Sequence, residues 1–260
     1  MVQLSYTKNE VLLSSDNLSV EYDKVIFSGV SFQIQNIIRP GLQQGQVVGI
    51  LGASGIGKTQ LLRCLAGLQN PTAGSVSLIN GPVKPGQVGI VFQNYPTMPH
   101  RTIESNLRMV CSDEQKCNVM LEMVNLLDKK HLYPSSLSGG QLQRVAIVQQ
   151  LLNNEKYLLL DEPFSGLDPL IKKSIIELLR NVSLKHTHNT MILTTHDIFA
   201  ALQICDTIHI LGSTMVNNYA SLVATYDLAA MGLSWRVLDD VRRDLMDLEI
   251  EIESKYFSKH

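Results

Sequence analysis

The 260 residues are 45% hydrophobic and 18% charged, which is typical of one large globular domain or of a domain with a subdomain. The net charge of −2 argues against nucleic acid as a partner. The four cysteines form no Cys-x-x-Cys pair, so we expect reduced thiols in a cytosolic protein rather than a zinc site or disulfides. Neither a signal peptide nor an apolar run of about 18 residues occurs, so any role at a membrane is expected to need partner chains.

The N-terminal part predicts strands. Residues 1–17 are polar, and we expect a loose start and an edge strand there. Leu18–Tyr22 alternates apolar and polar side chains, as a half-buried strand does, and Val25–Phe27 and Val30–Ile34 continue this pattern. Residues 35–45 contain a proline and several amides and predict a surface loop.

A glycine-rich loop follows the apolar run Val47–Leu51. Its sequence, Gly52-Ala-Ser-Gly-Ile-Gly57-Lys58-Thr59, matches the phosphate-binding pattern G-x-x-x-x-G-K-[ST]. The glycines allow several backbone N–H groups to point at one anion, and the helix behind them adds its positive end. Lys58 could reach the β- and γ-phosphates of a nucleotide, and Thr59 could offer its hydroxyl to Mg²⁺. An ordinary glycine turn is the alternative, and the strand before the loop and the helix after it both disfavour that alternative.

The rest of the chain alternates helices and strands. The predicted helices are 60–68, two between 102 and 128, one from about 138 to 153, 170–184 and 198–204. The predicted strands are 75–79, 88–92, 157–160, 190–195 and 207–211. This order favours a largely parallel sheet with helical crossovers.

Acidic residues end the apolar strand 157–160. Asp161 there suits Mg²⁺, and Glu162 could orient or deprotonate an attacking water. Such a pair alone is a weak signal, because acids often end strands. Together with the phosphate-binding loop it indicates nucleotide hydrolysis.

The stretch Leu137-Ser-Gly-Gly-Gln141 narrows the class. Two glycines at a helix start, preceded by a serine, form a second anion-binding helix terminus, although a plain helix cap is the alternative. With this stretch and the motifs above, which follow one another in the expected order and spacing, the chain resembles the nucleotide-binding subunit of an ATP-binding cassette (ABC) transporter. The resemblance covers roughly residues 15–212.

The resemblance implies a fold and a domain organisation. The expected fold is α/β, a P-loop NTPase core with a mostly parallel sheet, an antiparallel β edge and an inserted α-helical subdomain. Residues 1–93 and 157–230 would form the ATP-binding core with its N-terminal antiparallel strands. Residues 94–156 would form the helical subdomain that carries the signature motif, and residues 231–260 an acidic amphipathic helix.

The resemblance also implies roles for individual residues. Catalysis would use Glu162, His196, Lys58 and Gln93. Mg²⁺ would be held by Thr59, Gln93 and Asp161. ATP would be bound by the adenine-stacking Tyr22, by the Walker A residues Gly52, Ala53, Ser54, Gly55, Gly57, Lys58 and Thr59, by the signature residues Ser138, Gly139, Gly140 and Gln141, and by Asp168 across the dimer.

In this family each ATP lies between the loop of one subunit and the signature helix of another. The expected function is therefore that of an ATPase subunit that dimerises on ATP and drives transport through separate membrane subunits. It would lie in the cytoplasm on the inner face of the membrane, as part of an importer rather than an exporter. A soluble ABC ATPase of DNA repair or of ribosomes is the alternative. The separation of about a hundred residues between the loop and Asp161, together with the lack of basic excess, disfavours that alternative.

The linker before the glycine loop departs from the family pattern, and the C-terminal residues predict a further helix. The linker Asn36-Ile-Ile-Arg-Pro-Gly-Leu42 is longer than usual and is expected on the surface. Residues 237–256 carry an apolar seam on an acidic helix. We favour packing of this seam on its own domain over a dimer contact or a regulatory contact. The seam consists of Leu238, Val241, Leu245, Leu248 and Ile252.

Overall fold

The computed structural model describes most of the chain. It covers residues 6–38, 45–92, 97–153, 156–183, 190–213, 219–233 and 238–257, and residues 238–242 by their backbone alone. The expected family glutamine, Gln93, lies outside the described residues, as do residues 39–44 of the predicted loop.

The described residues form a sheet of ten strands in the order β5-β4-β1-β2-β10-β9-β3-β8-β7-β6. The strands are β1 (Thr7–Glu21), β2 (Val25–Ile38), β3 (Gln46–Leu51), β4 (Ala73–Leu78), β5 (Gly81–Pro82), β6 (Gly89–Val91), β7 (Tyr157–Asp161), β8 (Thr190–Thr195), β9 (Thr207–Ser213) and β10 (Ala220–Asp227). The helices are α1 (Lys58–Leu65), α2 (Ile103–Leu107), α3 (Glu114–Met123), α4 (Gly139–Leu152), α5 (Pro169–Ser183), α6 (Ile198–Ile204) and α7 (Leu238–Ile252), the last followed by a π-helical turn at Glu253–Phe257.

The parallel half of the sheet positions the site. Strand β3 pairs in parallel with β8 and β9, and β7 pairs in parallel with β8 and β6. Every residue of β3, β7 and β8 is buried, as expected for central strands covered on both faces. Because these strands run in the same direction, their carboxyl ends at Leu51, Asp161 and Thr195 meet at one edge. The α/β fold with its antiparallel edge is confirmed.

The first strand differs from the prediction. Strand β1 begins at Thr7, within the segment expected to be a loose start, and it pairs with both β2 and β4. It is therefore an interior strand and not an edge strand. Its polar N-terminal half is stabilised by backbone pairing with β2, a long-range interaction that residue alternation does not reveal.

Two further predictions were wrong at their boundaries. Strand β2 continues to Ile38 with Asn36 and Ile37 buried, so the surface loop was predicted to begin at least four residues too early. The last strand predicted is 207–211, but a further strand, β10, follows β9 and pairs with it in antiparallel register. The exposure of β10 is mostly intermediate, which weakens any periodic signal in its sequence.

The helices cover the two faces of the sheet. Leu61, Leu62 and Leu65 of α1 belong to the core cluster on one face, where α1 contacts β7 and β8. Buried residues of α4, α5 and α6 belong to the cluster on the other face. Helix α7 packs there as well, with Leu245, Leu248 and Ile252 buried in the same cluster. The seam thus packs on its own domain for these three positions, while the side chains of Leu238 and Val241 lie outside the described set. The boundaries assigned to the domains stay a prediction.

Candidate ATP-binding site

The glycine loop connects β3 to α1 and requires its glycines at two points. Gly57, directly before α1, has φ +108°, and a Cβ there would lie 2.8 Å from Cγ2 of Ile26. A Cβ on Gly52 would lie 2.7 Å from the backbone oxygen of Leu211. Both distances are too short for a side chain, so the loop follows its path only with glycine at these positions.

Lys58 is the buried cation of the loop. Its side chain is 5% exposed, and Nζ donates hydrogen bonds to the carbonyl oxygens of Gly52 at 2.7 Å and Ala53 at 3.1 Å. Nζ also lies 3.0 Å from Oε1 of Glu162. The predicted lysine and the predicted catalytic glutamate are therefore in direct contact, although 104 positions separate them in the sequence.

Glu162 is held by its backbone in an uncommon conformation. Its φ is +51°, in the left-handed region that non-glycine residues rarely adopt. Its N–H donates to the carbonyl oxygen and to Oγ1 of Thr194 at 3.1 and 3.2 Å, and its carbonyl accepts from Nε2 of Gln143 at 3.3 Å. Its second carboxylate oxygen lies 3.0 Å from Nδ1 of His196. Strained backbone at such a position is typical of functional sites.

Hard oxygen atoms adjoin this pair. Thr59 Oγ1 donates to Oδ2 of Asp161 at 2.7 Å, and Thr194 Oγ1 donates to Oδ1 of the same carboxylate at 2.7 Å. Asp161 is buried. A hydroxyl and a carboxylate side by side, next to a phosphate-binding loop, match the ligands that Mg²⁺ prefers, so these residues fit the expected metal.

A cavity of about 290 Å³ opens between these elements. It is close to the lower end of the ~300–1,000 Å³ usual for small-molecule pockets, so it can hold the phosphates rather than a whole nucleotide. Its lining joins the loop, the β7 end and the β8 end through Ser54, Gly55, Gly57, Lys58, Thr59, Gln60, Glu162, Ser165 and His196.

The signature residues lie at the start of α4, outside that lining. Ser138 and Gln141 form a capping box, in which Ser138 N–H donates to Gln141 Oε1 at 2.9 Å and Gln141 N–H donates to Ser138 Oγ at 3.3 Å. Gly139 is exposed, and a Cβ built on it would meet no atom of the described residues within 4 Å, so the backbone is accessible there. In the described part of the chain, this helix end does not contribute to the cavity beside Lys58.

Asp168 and Tyr22 are likewise outside the cavity lining. Asp168 Oδ1 accepts from the N–H groups of Leu170 and Ile171 at 3.1 and 3.0 Å and so caps α5. Burial lowers the pKa of the nearby Arg144 guanidinium, and the charge of Asp168 opposes that shift. Tyr22 is 59% exposed in the turn between β1 and β2, the hairpin whose Ile26 approaches Gly57. Stacking of this ring on adenine stays a prediction.

Three site residues escaped the sequence analysis. Thr194 holds both Asp161 and the backbone of Glu162, Gln143 reaches the carbonyl of Glu162, and Ser165 lines the cavity. One signal in the sequence could have revealed Thr194: it is a polar residue near the end of an apolar strand. In a parallel sheet, such a residue lies beside the carboxyl end of the neighbouring strand. Its register partner is Asp161.

Comparisons with known proteins agree with these motifs. The sequence model of the family described as ABC transporter matches residues 36–165. The chain is 37% identical over 210 residues to the methionine import ATP-binding protein MetN of Escherichia coli (strain K12), which covers 73% of this chain and 61% of that protein. It is 34% identical over 247 residues to the sulfate/thiosulfate import ATP-binding protein CysA of Mesostigma viride, which covers 90% of this chain and 70% of that protein. The chain thus spans little more than half of the methionine import relatives, with 57% for the protein of Histophilus somni (strain 129Pt).

Solved structures share the fold. CbiO1 from Clostridium perfringens, part of the transporter complex cbiONQ, has a TM-score of 0.69 at 23% identity, over 94% of this chain and 100% of that one. The dimeric structure of MJ0796, a bacterial ABC transporter cassette, has a TM-score of 0.69 at 24% identity, over 84% of this chain and 99% of that one.

Proposed function

The chain belongs to the ABC transporter family, and we propose that it is an ATP-binding and ATP-hydrolysing subunit that powers transport through separate membrane subunits. The observation that carries the proposal is the convergence on Glu162, with Lys58 on one carboxylate oxygen and His196 on the other, each at 3.0 Å. This joins the anion-binding loop to a candidate general base in one cavity.

Phosphate binding is assigned to the loop and Lys58. The buried ammonium now donates to two loop carbonyls and can turn those donors toward phosphate oxygens without leaving the cavity. The loop N–H groups and the start of α1 favour the same negative charge. This binding would be shared by any nucleoside triphosphate, while Tyr22 would add stacking on the base.

Hydrolysis is assigned to Glu162. Its backbone is held by Thr194 and Gln143. Its carboxylate is held between Lys58 and His196, in a position from which it can orient and deprotonate water. His196, half exposed beside it, would contact the γ-phosphate region. A positioned general base typically contributes a factor of about 10² to 10⁴ in rate.

Mg²⁺ is proposed as the cofactor, held by Thr59 and Asp161, with Gln93 as the third expected ligand. When bound, it would neutralise charge on the β- and γ-phosphates. Thr194 keeps Asp161 in place by donating to the oxygen that Thr59 does not contact. The chain thus presents a carboxylate oriented from both sides.

A second ATP-binding subunit is the proposed first partner. The signature helix N-terminus, with its accessible backbone at Gly139, is not part of the cavity in its own chain. Ser138, Gly139, Gly140, Gln141 and Asp168 would instead complete the site of the other subunit. Because each ATP would be held from both sides, its binding would favour the dimer and its hydrolysis would release it.

Import is the proposed direction, since relatives over most of this chain are named as import ATP-binding proteins. The proposed location is the cytoplasmic face of the membrane, attached through membrane subunits. Among the described residues, every helix is too short or too polar to span a bilayer.

A pair of matched variants tests the catalytic proposal. Glu162→Gln keeps the size of the side chain and removes the base, so we expect ATP binding to persist and turnover to fall at least about a hundredfold. The variant should also accumulate as an ATP-bound dimer in size-exclusion chromatography. Glu177→Gln, on the exposed face of α5, is the control and should retain turnover. Unchanged turnover in Glu162→Gln would remove Glu162 from the catalytic role.

A second experiment tests the partners. The tagged chain is purified in a mild detergent from membranes of its own cells, and the proteins retained with it are identified. We expect a hydrophobic integral membrane protein among them. Retention of soluble or ribosomal proteins alone would contradict the transport role without affecting the ATPase result.

A further inference from the structure

A second polar cavity lies at the opposite end of β3 from the phosphate-binding loop. It has a volume of about 150 Å³ and lies where β2 diverges from β9 and β10. Strands β2 and β10 pair at one described position, Ala220 with Phe27, so the later part of β2 leaves a gap beside β10. The polar part of the lining includes Lys8, His209, Thr225 and Asp227, together with glutamines of β2 and β3.

His209 is a buried polar group in this lining with an unused atom. It is 4% exposed, its ring lies 4.7 Å from the ring of Phe32, and Nδ1 lies 2.9 Å from Oγ1 of Thr225. Nε2 is buried and has no hydrogen-bond partner among the described residues. Buried polar atoms are nearly always paired, so an orphan in a polar cavity indicates a missing partner.

Lys8 and Asp227 stand at the more exposed side of the cavity. Lys8 Nζ lies 2.6 Å from Oδ2 of Asp227, with side-chain exposures of 37% and 26%. Asp227 accepts two further hydrogen bonds, from Ala230 N–H at 2.9 Å and from Tyr6 O–H at 3.4 Å. The ammonium has three donors, and within the described residues Asp227 is its one acceptor. Two donors of Lys8 are therefore available to an anion.

The volume limits the size of an occupant. An apolar cavity of about 150 Å³ in another protein holds benzene, a molecule of six heavy atoms. Here the walls carry amides, hydroxyls, an imidazole and the ion pair of Lys8 with Asp227, so a polar molecule of that size fits better than a hydrocarbon. Val48, Ile34 and Ile37 supply an apolar surface for a short carbon chain.

We propose that this cavity binds a short-chain carboxylate of about six heavy atoms that carries a second hydrogen-bonding group, as hydroxy acids and amino acids do. The carboxylate pairs with Lys8, and the second group reaches Nε2 of His209. This is a site separate from the ATP site, and it does not depend on the proposed ATPase function.

The test follows the His209 imidazole by ¹⁵N NMR in the full chain. Lactate and alanine are the probes, each added to about 10 mM, enough to detect binding of millimolar affinity. We expect a saturable shift of the Nε2 signal with at least one probe. Propionate lacks the second group and should bind at least about tenfold more weakly. An unchanged Nε2 signal with both probes, as expected if the cavity holds ordered water only, would overturn the proposal.

Variants identify the contacts. Lys8→Met keeps the length of the side chain and removes its charge, and we expect it to weaken binding at least about tenfold. Lys84→Met, at an exposed lysine outside the cavity lining, is the matched control and should leave binding unchanged. His209→Phe removes Nε2 while keeping a ring against Phe32, and should lose the preference for lactate or alanine over propionate. Equal binding by Lys8→Met and the unaltered chain would contradict the proposal.

Discussion

Lys58 Nζ and Glu162 Oε1 lie 3.0 Å apart, with both side chains largely buried, at 5% and 13% exposure. A buried charge is tolerated only when it is paired, and each of these residues supplies the partner of the other. The contact joins the loop after β3 to the end of β7. It therefore fixes the relative position of the anion-binding cation and the candidate base before any ligand arrives.

Lys58→Ala should lose most of the affinity for ATP. A charged hydrogen bond is worth about 1.5–3 kcal/mol, so we expect the dissociation constant for ATP to rise about ten- to hundredfold or more. Isothermal titration calorimetry measures it. Lys173→Ala, at an exposed lysine of α5, is the control. Tight ATP binding by Lys58→Ala would contradict the proposed site.

Asp161→Asn should uncouple ATP binding from Mg²⁺. The amide keeps the shape of the carboxylate that accepts from Thr59 and Thr194, but it removes the negative charge that a divalent cation needs. We expect the Mg²⁺ concentration for half-maximal ATPase activity to rise at least about tenfold. Asp128→Asn, an exposed carboxylate outside the cavity, should leave it unchanged. If Asp161→Asn kept the Mg²⁺ dependence of the unaltered chain, Asp161 would not be a metal ligand.

The buried strands of the parallel half could be predicted closely from sequence. The strand predicted at 190–195 and the helix predicted at 198–204 have the observed bounds. For the strand the reason is that an apolar run is a strong signal for a strand covered on both faces. Strand β10 and the first half of β1 gave no such signal. Their backbone groups pair with strands distant in sequence, and their side chains are only partly buried.

The residues of the site also differ in how far the sequence predicts them. The motif residues could be located because a loop, a capping serine and an acidic pair have fixed local spacings. The roles of Thr194 and Gln143 depend on the register between β7 and β8 and on the packing of α4. A polar residue near the end of an apolar strand marks Thr194 in the sequence, but its partner follows only from the strand register. The contact of Gln143 and the orphan nitrogen of His209 likewise depend on tertiary packing.

His209 should make stability fall in mild acid. Burial, and next the charge of Lys8, lower its pKa from 6.5 to about 4. Between these values the unfolded chain binds the proton more strongly than the folded chain, so stability is full above pH 6.5 and is lost as the pH falls toward 4. This lowering of the pKa corresponds to a loss of at most about 3 kcal/mol in the free energy of unfolding.

Urea unfolding across this range measures the effect. His209→Phe should flatten the slope between pH 6.5 and 4, whereas His100→Asn, at an exposed histidine, should not. Asp227 is the neighbouring acid, and its contribution falls in a different window. Burial would raise its pKa, but hydrogen bonds from Lys8 and Ala230 outweigh this and lower it below 3.8. A slope that persists in His209→Phe would assign the acid sensitivity to another group.

Leu248→Ala should destabilise the chain by about 2–5 kcal/mol, because it opens a cavity where α7 packs in the main core. Leu248 is 4% exposed and belongs to the cluster that also contains Ile198 of α6. Ile250, two residues later on the same helix, is 64% exposed, so Ile250→Ala is the matched control and should cost less than about 0.5 kcal/mol. Chemical denaturation gives both values.

The same pair of variants separates packing from association. If the seam of α7 served a dimer contact instead, Leu248→Ala would change the concentration dependence of unfolding rather than the stability of the single chain. Since Leu245, Leu248 and Ile252 are already buried against the core of their own chain, we expect no such dependence. Helix α6, on which α7 packs, begins directly after His196 and Asp197. Loss of α7 packing should therefore lower ATPase activity together with stability, and a Leu248→Ala variant with normal stability would contradict the packing seen here.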